Sequence, residues 1–264
     1  MRTLIAAPAV FIMTVVLGTA VLLAKLLGVP ERPGSFYEKA PQWWARVILW
    51  VSGVRVVLHG RERLADGDAH IFVSNHVSWY DVLALASVLP AYSFVAKAEI
   101  FRVPLFGSAA RVVGTIPIQR DNRKAAFQSY EEAGERIRAG RNVVVYPEGT
   151  RGPSYALRPF KKGPFVLAIA AGVPIIPTII HGTIEALPRG SLWLRAGQVD
   201  VHLLDPVPTA GLAYDERDAL SCAVYDRMAE GFRRIYGVDS PPYPGVALGT
   251  RAPDGPLADG LSTA

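Results

Sequence analysis

Apolar residues recur along the chain with two different periods, and the order in which those periods alternate predicts the fold. Short runs of β-branched and aromatic residues, bounded by turn formers, predict strands near 54–59, 70–75, 93–97, 114–119, 142–147, 174–181 and 198–204. Stretches with helical spacing fit between them, near 79–89, 104–112, 122–139 and 163–172, and a last helix is expected near 215–236. Such alternation is the pattern of an α/β domain with a largely parallel seven-stranded sheet flanked by helices, since each parallel pair needs a crossover and the helix supplies it. Helix 122–139 has Asp121 or Asn122 to cap it and Gly140 to stop it.

Two apolar segments precede this domain. From Leu4 to Ala24 the chain carries no charge, and as a helix this stretch reaches about 31 Å at roughly 1.5 Å per residue, enough to cross a bilayer. It is longer than the apolar region of a signal peptide, and no clear small-x-small cleavage site follows before Lys25. Arg2 stands alone in front of it, whereas Lys25, Arg32, Lys39 and Arg46 follow. The positive-inside tendency therefore places the large domain on the cytosolic face of the cytoplasmic membrane. Next come Trp43, Trp44, Val47, Ile48, Trp50, Val51 and Val54, an apolar face rich in tryptophan. Gly28, Pro30, Pro33 and Gly34 separate the two segments, which fits either a helical hairpin in one leaflet or a membrane helix followed by a core helix. The expected organisation is a membrane-associated helix pair over 1–53, an α/β domain over 54–238 and a tail over 239–264. That tail is rich in proline and glycine without periodicity, and is expected to be disordered or loosely laid on the surface.

Composition narrows the partners. Half of the 264 residues are hydrophobic, which suffices for one sizeable core. The net charge of +5 suits an anionic partner. Because the basic residues are dispersed rather than massed, anionic lipid or phosphate fits and a nucleic acid does not. Cys222 is the only cysteine, so the chain has no internal disulfide, no CxxC pair and no zinc ligand set. His59, His70, His181 and His202 show no ligand spacing, and no metal is expected.

The chemistry gathers first at Asn75-His-Val-Ser-Trp-Tyr-Asp81, directly after the apolar run Ile71, Phe72, Val73. A neutral imidazole with a carboxylate on one ring nitrogen presents the other nitrogen as a proton acceptor. Positions i and i+5 lie roughly 140° apart on a continuous helix, so His76 is expected on a loop and Asp81 on the helix that follows. Ser78 and Asp81 also fit a capping box, which would give the acid a purely structural duty.

Three further stretches join this one in order. They are Gly114-Thr-Ile-Pro-Ile-Gln-Arg120, Pro147-Glu-Gly-Thr-Arg151 and Val173-Pro-Ile-Ile-Pro177. Together the four resemble the motifs of the glycerolipid acyltransferase family, which includes the 1-acyl-sn-glycerol-3-phosphate acyltransferases, and the resemblance covers roughly 54–205. Two positions depart from the family pattern: Pro117 stands where many relatives carry an aromatic residue, and Gly152 where a serine is frequent. Neither removes an ionisable group, but both leave the choice of acceptor open.

The resemblance implies transfer of an acyl group from a thioester, of coenzyme A or acyl carrier protein, to the free hydroxyl of a lysophospholipid, with no further cofactor. His76 would be the general base and Asp81 its orienting acid. Arg120, Arg151 and Lys97 would hold the acceptor phosphate, with Glu148 and Thr150 placing its glycerol and Gly149 allowing close backbone approach. No Gly-x-Ser-x-Gly elbow exists and Cys222 is remote from every motif, which favours direct attack over an acyl-enzyme. Val173–Pro177 fits an acyl-chain wall and core packing equally well. Other readings are an acyltransferase for a lyso-ornithine or glycosylated lipid, and a lipid-binding protein that keeps the fold without turnover.

Overall fold

The computed structural model describes residues 2–32, 34–64, 69–119 and 123–244. Among these, β1 (Val54–His59), β2 (Ile71–Ser74), β3 (Tyr92–Lys97), β4 (Ile116–Ile118), β5 (Asn142–Val145), β6 (Ile175–His181) and β7 (Gly197–Leu203) form one sheet. Their order is β1-β7-β6-β2-β5-β3-β4. Every neighbouring pair is parallel except β6 and β7, which run antiparallel.

The two-residue period of the strands builds two cores. Ile71, Val73, Val143, Val145, Ile175 and Ile179 point to one face of the sheet, while Phe72, Val144, Ile176 and Ile180 point to the other. On the first face lie α5 (Arg123–Arg138), α6 (Gly163–Ala171) and α8 (Arg217–Tyr236), which contribute Ile137, Phe165 and Phe232 among others. The second face is covered by α2 (Phe36–Ser52) and α3 (Tyr80–Val88), through Ile48, Leu49, Leu83 and Leu85. Adjacent central strands thus send their chains to opposite faces: β2 leads to α3 and β5 to α6. A crevice opens outside the carboxyl ends of such a pair, where α/β sheets bind their ligands.

The predicted strands and helices are present with small shifts at their ends. Strand β2 stops at Ser74 because Asn75 turns its amide to β6, with Nδ2 donating to the Ile180 carbonyl at 3.0 Å and Oδ1 accepting from the Ile180 N–H at 2.8 Å. Strand β5 stops at Val145, two residues before Pro147, which has no N–H for the ladder. Short α7 (Thr183–Ala186) was not predicted, since four residues show no period. Gly140, with φ of 81°, follows the last turn of α5; the expected caps Asp121 and Asn122 lie outside the described residues. The run Val173–Pro177 becomes the start of β6, where Ile175 and Ile176 are fully buried in the two cores, so it packs the sheet.

The N-terminal helix α1 (Arg2–Leu26) lies along the domain and packs on α2 and on α4 (Phe106–Val112). It is fastened at several levels. Thr3 Oγ1 accepts from the Leu194 N–H at 2.9 Å, Thr14 Oγ1 accepts from Trp44 Nε1 at 3.0 Å, and Val21 is buried with Tyr37 and Ala40. Its other side leaves Leu4, Ile5, Phe11, Ile12 and Val16 exposed. Helix α2 serves as a core helix through Ala45, Ile48 and Leu49, whereas Trp50 is 80% exposed. The tail begins pinned rather than loose, since the Tyr225 hydroxyl donates to the Pro241 carbonyl at 2.7 Å and the Tyr243 and Ser221 hydroxyls meet at 2.7 Å. Residues 245–264 lie outside the described chain.

Candidate active site

His76 stands on the loop after β2 and Asp81 in the first turn of α3. The helix terminus itself favours an acid there. Nδ1 of His76 lies 2.8 Å from Asp81 Oδ2. A carboxylate only accepts, so Nδ1 carries the hydrogen and Nε2 is left as the acceptor nitrogen. The same oxygen accepts from the backbone N–H groups of Val77 at 2.7 Å and Ser78 at 2.8 Å, and Oδ1 accepts from the Thr183 hydroxyl at 2.6 Å. Asp81 is fully buried; these four donors offset the cost of removing its charge from water. The return to the Ser78 N–H is the acid's half of a capping box, so the structural and the orienting duty coexist in one side chain.

The His76 side chain is 13% exposed, and its ring stacks on Tyr146 with centroids 4.1 Å apart. Its peptide group is held from both ends by the Pro-Glu-Gly-Thr-Arg loop. The His76 N–H donates to Glu148 Oε1 at 3.0 Å, and its carbonyl accepts from the Gly152 N–H at 2.7 Å. The other Glu148 oxygen is buried and has no hydrogen-bond partner. Burial pushes the Glu148 carboxyl up to about 8, against the pull of the His76 N–H and of Arg158. Close to neutral pH this group is largely protonated.

Two cavities lie near His76, one reaching its neighbours Tyr146 and Glu148 and the other Ser78 and Trp79. One, of about 460 Å³, is lined by Tyr146, Glu148, Gly149, Thr150, Arg158 and Lys161, with Gly163 and Pro164 at the start of α6. Gly149 turns there with φ of 77°, a conformation that favours glycine. The other, of about 440 Å³, lies between α1, Trp79, Arg151 and the segment 187–194. The Arg151 guanidinium sits 4.6 Å from the Trp79 ring centre, and Arg189 lines the same space. The structure therefore brings His76, Asp81 and Glu148 into contact and places Gly149 and Thr150 beside them, while Arg151 faces the second cavity. Lys97 ends β3, half exposed in an ion pair with Glu99 at 3.0 Å, and lines neither space. Arg120 lies outside the described residues. Among the described residues no group of acids, histidines and cysteine can hold a metal ion.

Several side chains of this site escape motif reasoning. Thr183 is 102 positions from the acid it binds, although it follows the carboxyl end of β6, an address the sheet rule marks. Gly182 just before it, with φ of 95°, brings the start of α7 against β7 at Gln198, where a side chain has no room. Tyr155 then fixes α7: its hydroxyl accepts from the N–H groups of Gly182 at 2.7 Å and Ile184 at 3.1 Å and donates to Glu185 at 2.6 Å. Arg158 and Lys161 are basic residues in the loop before α6, where only the folded chain shows that they face Glu148.

A largely parallel sheet that holds an imidazole and a carboxylate in contact at its switch point, beside cavities carrying arginines, defines an α/β domain with a candidate acid–base site. The family model described as Acyltransferase matches residues 55–181. A 1-acyl-sn-glycerol-3-phosphate acyltransferase of Brassica napus, BAT2, is 32% identical over 66% of this chain and 51% of its own length. The human 1-acyl-sn-glycerol-3-phosphate acyltransferase beta is 32% identical over 73% of this chain and 70% of its own. The chain thus belongs to the acyltransferase family whose curated members carry that name, although it spans about half the length of the plant chloroplast relatives. The fold is shared with the crystal structure of the 1-acyl-sn-glycerophosphate acyltransferase PlsC from Thermotoga maritima. The TM-score is 0.72, with 22% identity, over 90% of this chain and 98% of that one.

Proposed function

We propose that this protein transfers a fatty acyl group from an acyl thioester to the free hydroxyl of 1-acyl-sn-glycerol-3-phosphate, giving phosphatidic acid. The observation that carries the proposal is the 2.8 Å contact between His76 Nδ1 and a fully buried Asp81. Nε2 of His76 takes the acceptor proton as the hydroxyl oxygen attacks the thioester carbonyl. The carbon–sulfur bond breaks, and the imidazolium, steadied by Asp81, returns the proton to the departing thiolate. Glu148 and Gly152 keep the imidazole in place through its peptide group, and Tyr146 supports the ring.

Basic side chains in both cavities support anion binding. Arg151 and Arg189 present guanidinium groups in one cavity, and Arg158, Lys161 and the start of α6 line the other. The acceptor phosphate takes the first of these and the phosphate-bearing donor, coenzyme A or acyl carrier protein, the second. A narrow apolar space of about 130 Å³ between α1, α2 and α4, lined by Leu17, Gly18, Trp44, Phe94 and Ala109, suits an acyl chain.

The α1 helix has the length and hydropathy to cross a membrane, but its contacts with the domain run from Thr3 to Val21. A perpendicular crossing would drag α2 and α4 into hydrocarbon. We therefore read α1 as lying in one leaflet with its exposed side in lipid, on the cytosolic face that the flanking charges favour.

The test is product analysis by mass spectrometry with purified protein, an acyl thioester and a pool of lysolipids. Phosphatidic acid formed from lysophosphatidic acid in preference to the rest is expected. A product from lyso-ornithine lipid or a glycosylated lysolipid instead would reassign the acceptor, and binding without any product would refute catalysis.

A further inference from the structure

The segment joining α7 to β7 exposes two large apolar side chains at its tip. Leu192 is 81% and Trp193 67% exposed, an arrangement that loses free energy in water and marks an interaction surface when it is contiguous with other apolar side chains. Hydrogen bonds at both ends of the loop tie it to segments that expose further apolar side chains. The next residue, Leu194, donates its N–H to Thr3 Oγ1 at 2.9 Å, which fastens the loop to the first turn of α1 beside the exposed Leu4 and Ile5. At the far end of the loop the Gly197 N–H donates to the Gly53 carbonyl at 3.2 Å, just past the last turn of α2, where Trp50 is exposed. Three separate parts of the chain thus meet here and each exposes apolar side chains, Leu4 and Ile5, Trp50, and Leu192 and Trp193, with Arg189 and Arg195 flanking the loop.

We infer that Pro188–Leu194 is a second membrane-seated element, set in the headgroup boundary of an anionic phospholipid bilayer beside α1. The inference rests on the reading of α1 as an in-leaflet helix. A bilayer, rather than a protein, is the occupant because the loop adjoins the lipid-facing side of α1, because tryptophan is at home at that depth, and because the flanking arginines complement anionic headgroups. The placement has a functional consequence. The cavity that holds Arg151 is bounded by this loop and by Ala6 and Val10 of α1, so an amphiphilic acceptor leaves the bilayer directly beneath Leu192 and reaches the arginines without crossing water.

Depth-dependent fluorescence quenching tests this. In a full-length Cys222→Ser background, Trp193→Cys, Phe11→Cys and Asp215→Cys are each labelled with an environment-sensitive dye and reconstituted into phosphatidylcholine vesicles containing phosphatidylglycerol, with brominated acyl chains as quencher. Asp215 serves as the distal reference, since it precedes α8 on the opposite face of the sheet. Quenching at position 193 within about twofold of that at position 11, and none at 215, is expected for a boundary-seated loop. Quenching at 11 with none at 193 would show that the loop faces water and would overturn the inference while leaving the seat of α1 intact. Absence of quenching at 11 would overturn both.

Discussion

Four donors hold Asp81, and three of them lie within the Asn-His-x-x-x-x-Asp stretch that makes the acid visible in the sequence. The fourth, Thr183, arrives from beyond β6 and belongs to no short pattern; its partnership exists only once β6 lies beside β2. Replacing Thr183 by valine leaves Oδ1 of a buried carboxylate without a partner, which costs about 1–3 kcal/mol of stability. It is expected to lower kcat with little change in either KM, with Thr183→Ser restoring both stability and rate; a valine variant with unaltered kcat would contradict a positioning role. Glu148 carries a separate signature. Its carboxyl rises from an ordinary 4.5 to about 8 in the folded protein, so the folded state holds this proton more tightly than the unfolded one. Its stabilising effect is full below pH 4.5 and is lost as pH rises to about 8, by at most about 1.4 kcal/mol per pH unit. Thermal melts from mildly acidic to mildly alkaline pH are expected to show this decline in the wild type and to lose it in Glu148→Gln. A decline of equal slope in both proteins would assign it to another group.

At the level of elements, the central strands were legible because Phe72 among its neighbours, or Val143, Val144 and Val145, are apolar on both sides, which a strand between two helical layers requires. What the alternation could not show is which histidines meet. His59 and His202, on neighbouring strands β1 and β7, stack with ring centres 4.2 Å apart, and His181 at the end of β6 stacks on Tyr236 at 3.8 Å. His202 Nε2 and the Tyr236 hydroxyl are 2.7 Å apart. Burial is the main cause that pushes His202 down to about 4; His59 and His181 push the same way, and Asp200 opposes them. The folded state therefore binds this proton less tightly than the unfolded one, and stability is lost as pH falls from 6.5 towards 4. Chemical denaturation across that range is expected to show the loss in the wild type and a flatter profile in His202→Gln, and an unchanged profile in the variant would refute the assignment. Strand pairing, not sequence spacing, assembles this trio, whereas Arg158 and Lys161 come to Glu148 through the fold of the loop between β5 and α6.

For the molecule as a whole, the apolar N-terminal segment proves to be part of the domain's architecture, since α1 closes a narrow cavity against α2 and α4. Gly18 lets the helix approach there; a Cβ on it would stand 3.3 Å from the Leu105 side chain. Gly18→Leu is expected to slow turnover of long-chain thioesters more than that of medium-chain ones, compared in parallel rate assays, and equal slowing of both would remove the acyl chain from this space. The length and charge flanks of α1 were readable, but its packing along the domain was not, because that depends on Thr3, Thr14 and Val21 finding partners in distant segments. The proposed chemistry rests on one imidazole, that of His76, whose neighbours line both cavities. The most direct measurement is the turnover of His76→Ala, purified in detergent, with lysophosphatidic acid and a long-chain acyl-CoA. Loss of a general base predicts a kcat lower by about 100-fold or more, with acceptor binding and thermal stability retained. A rate within a few-fold of wild type would contradict base catalysis by His76.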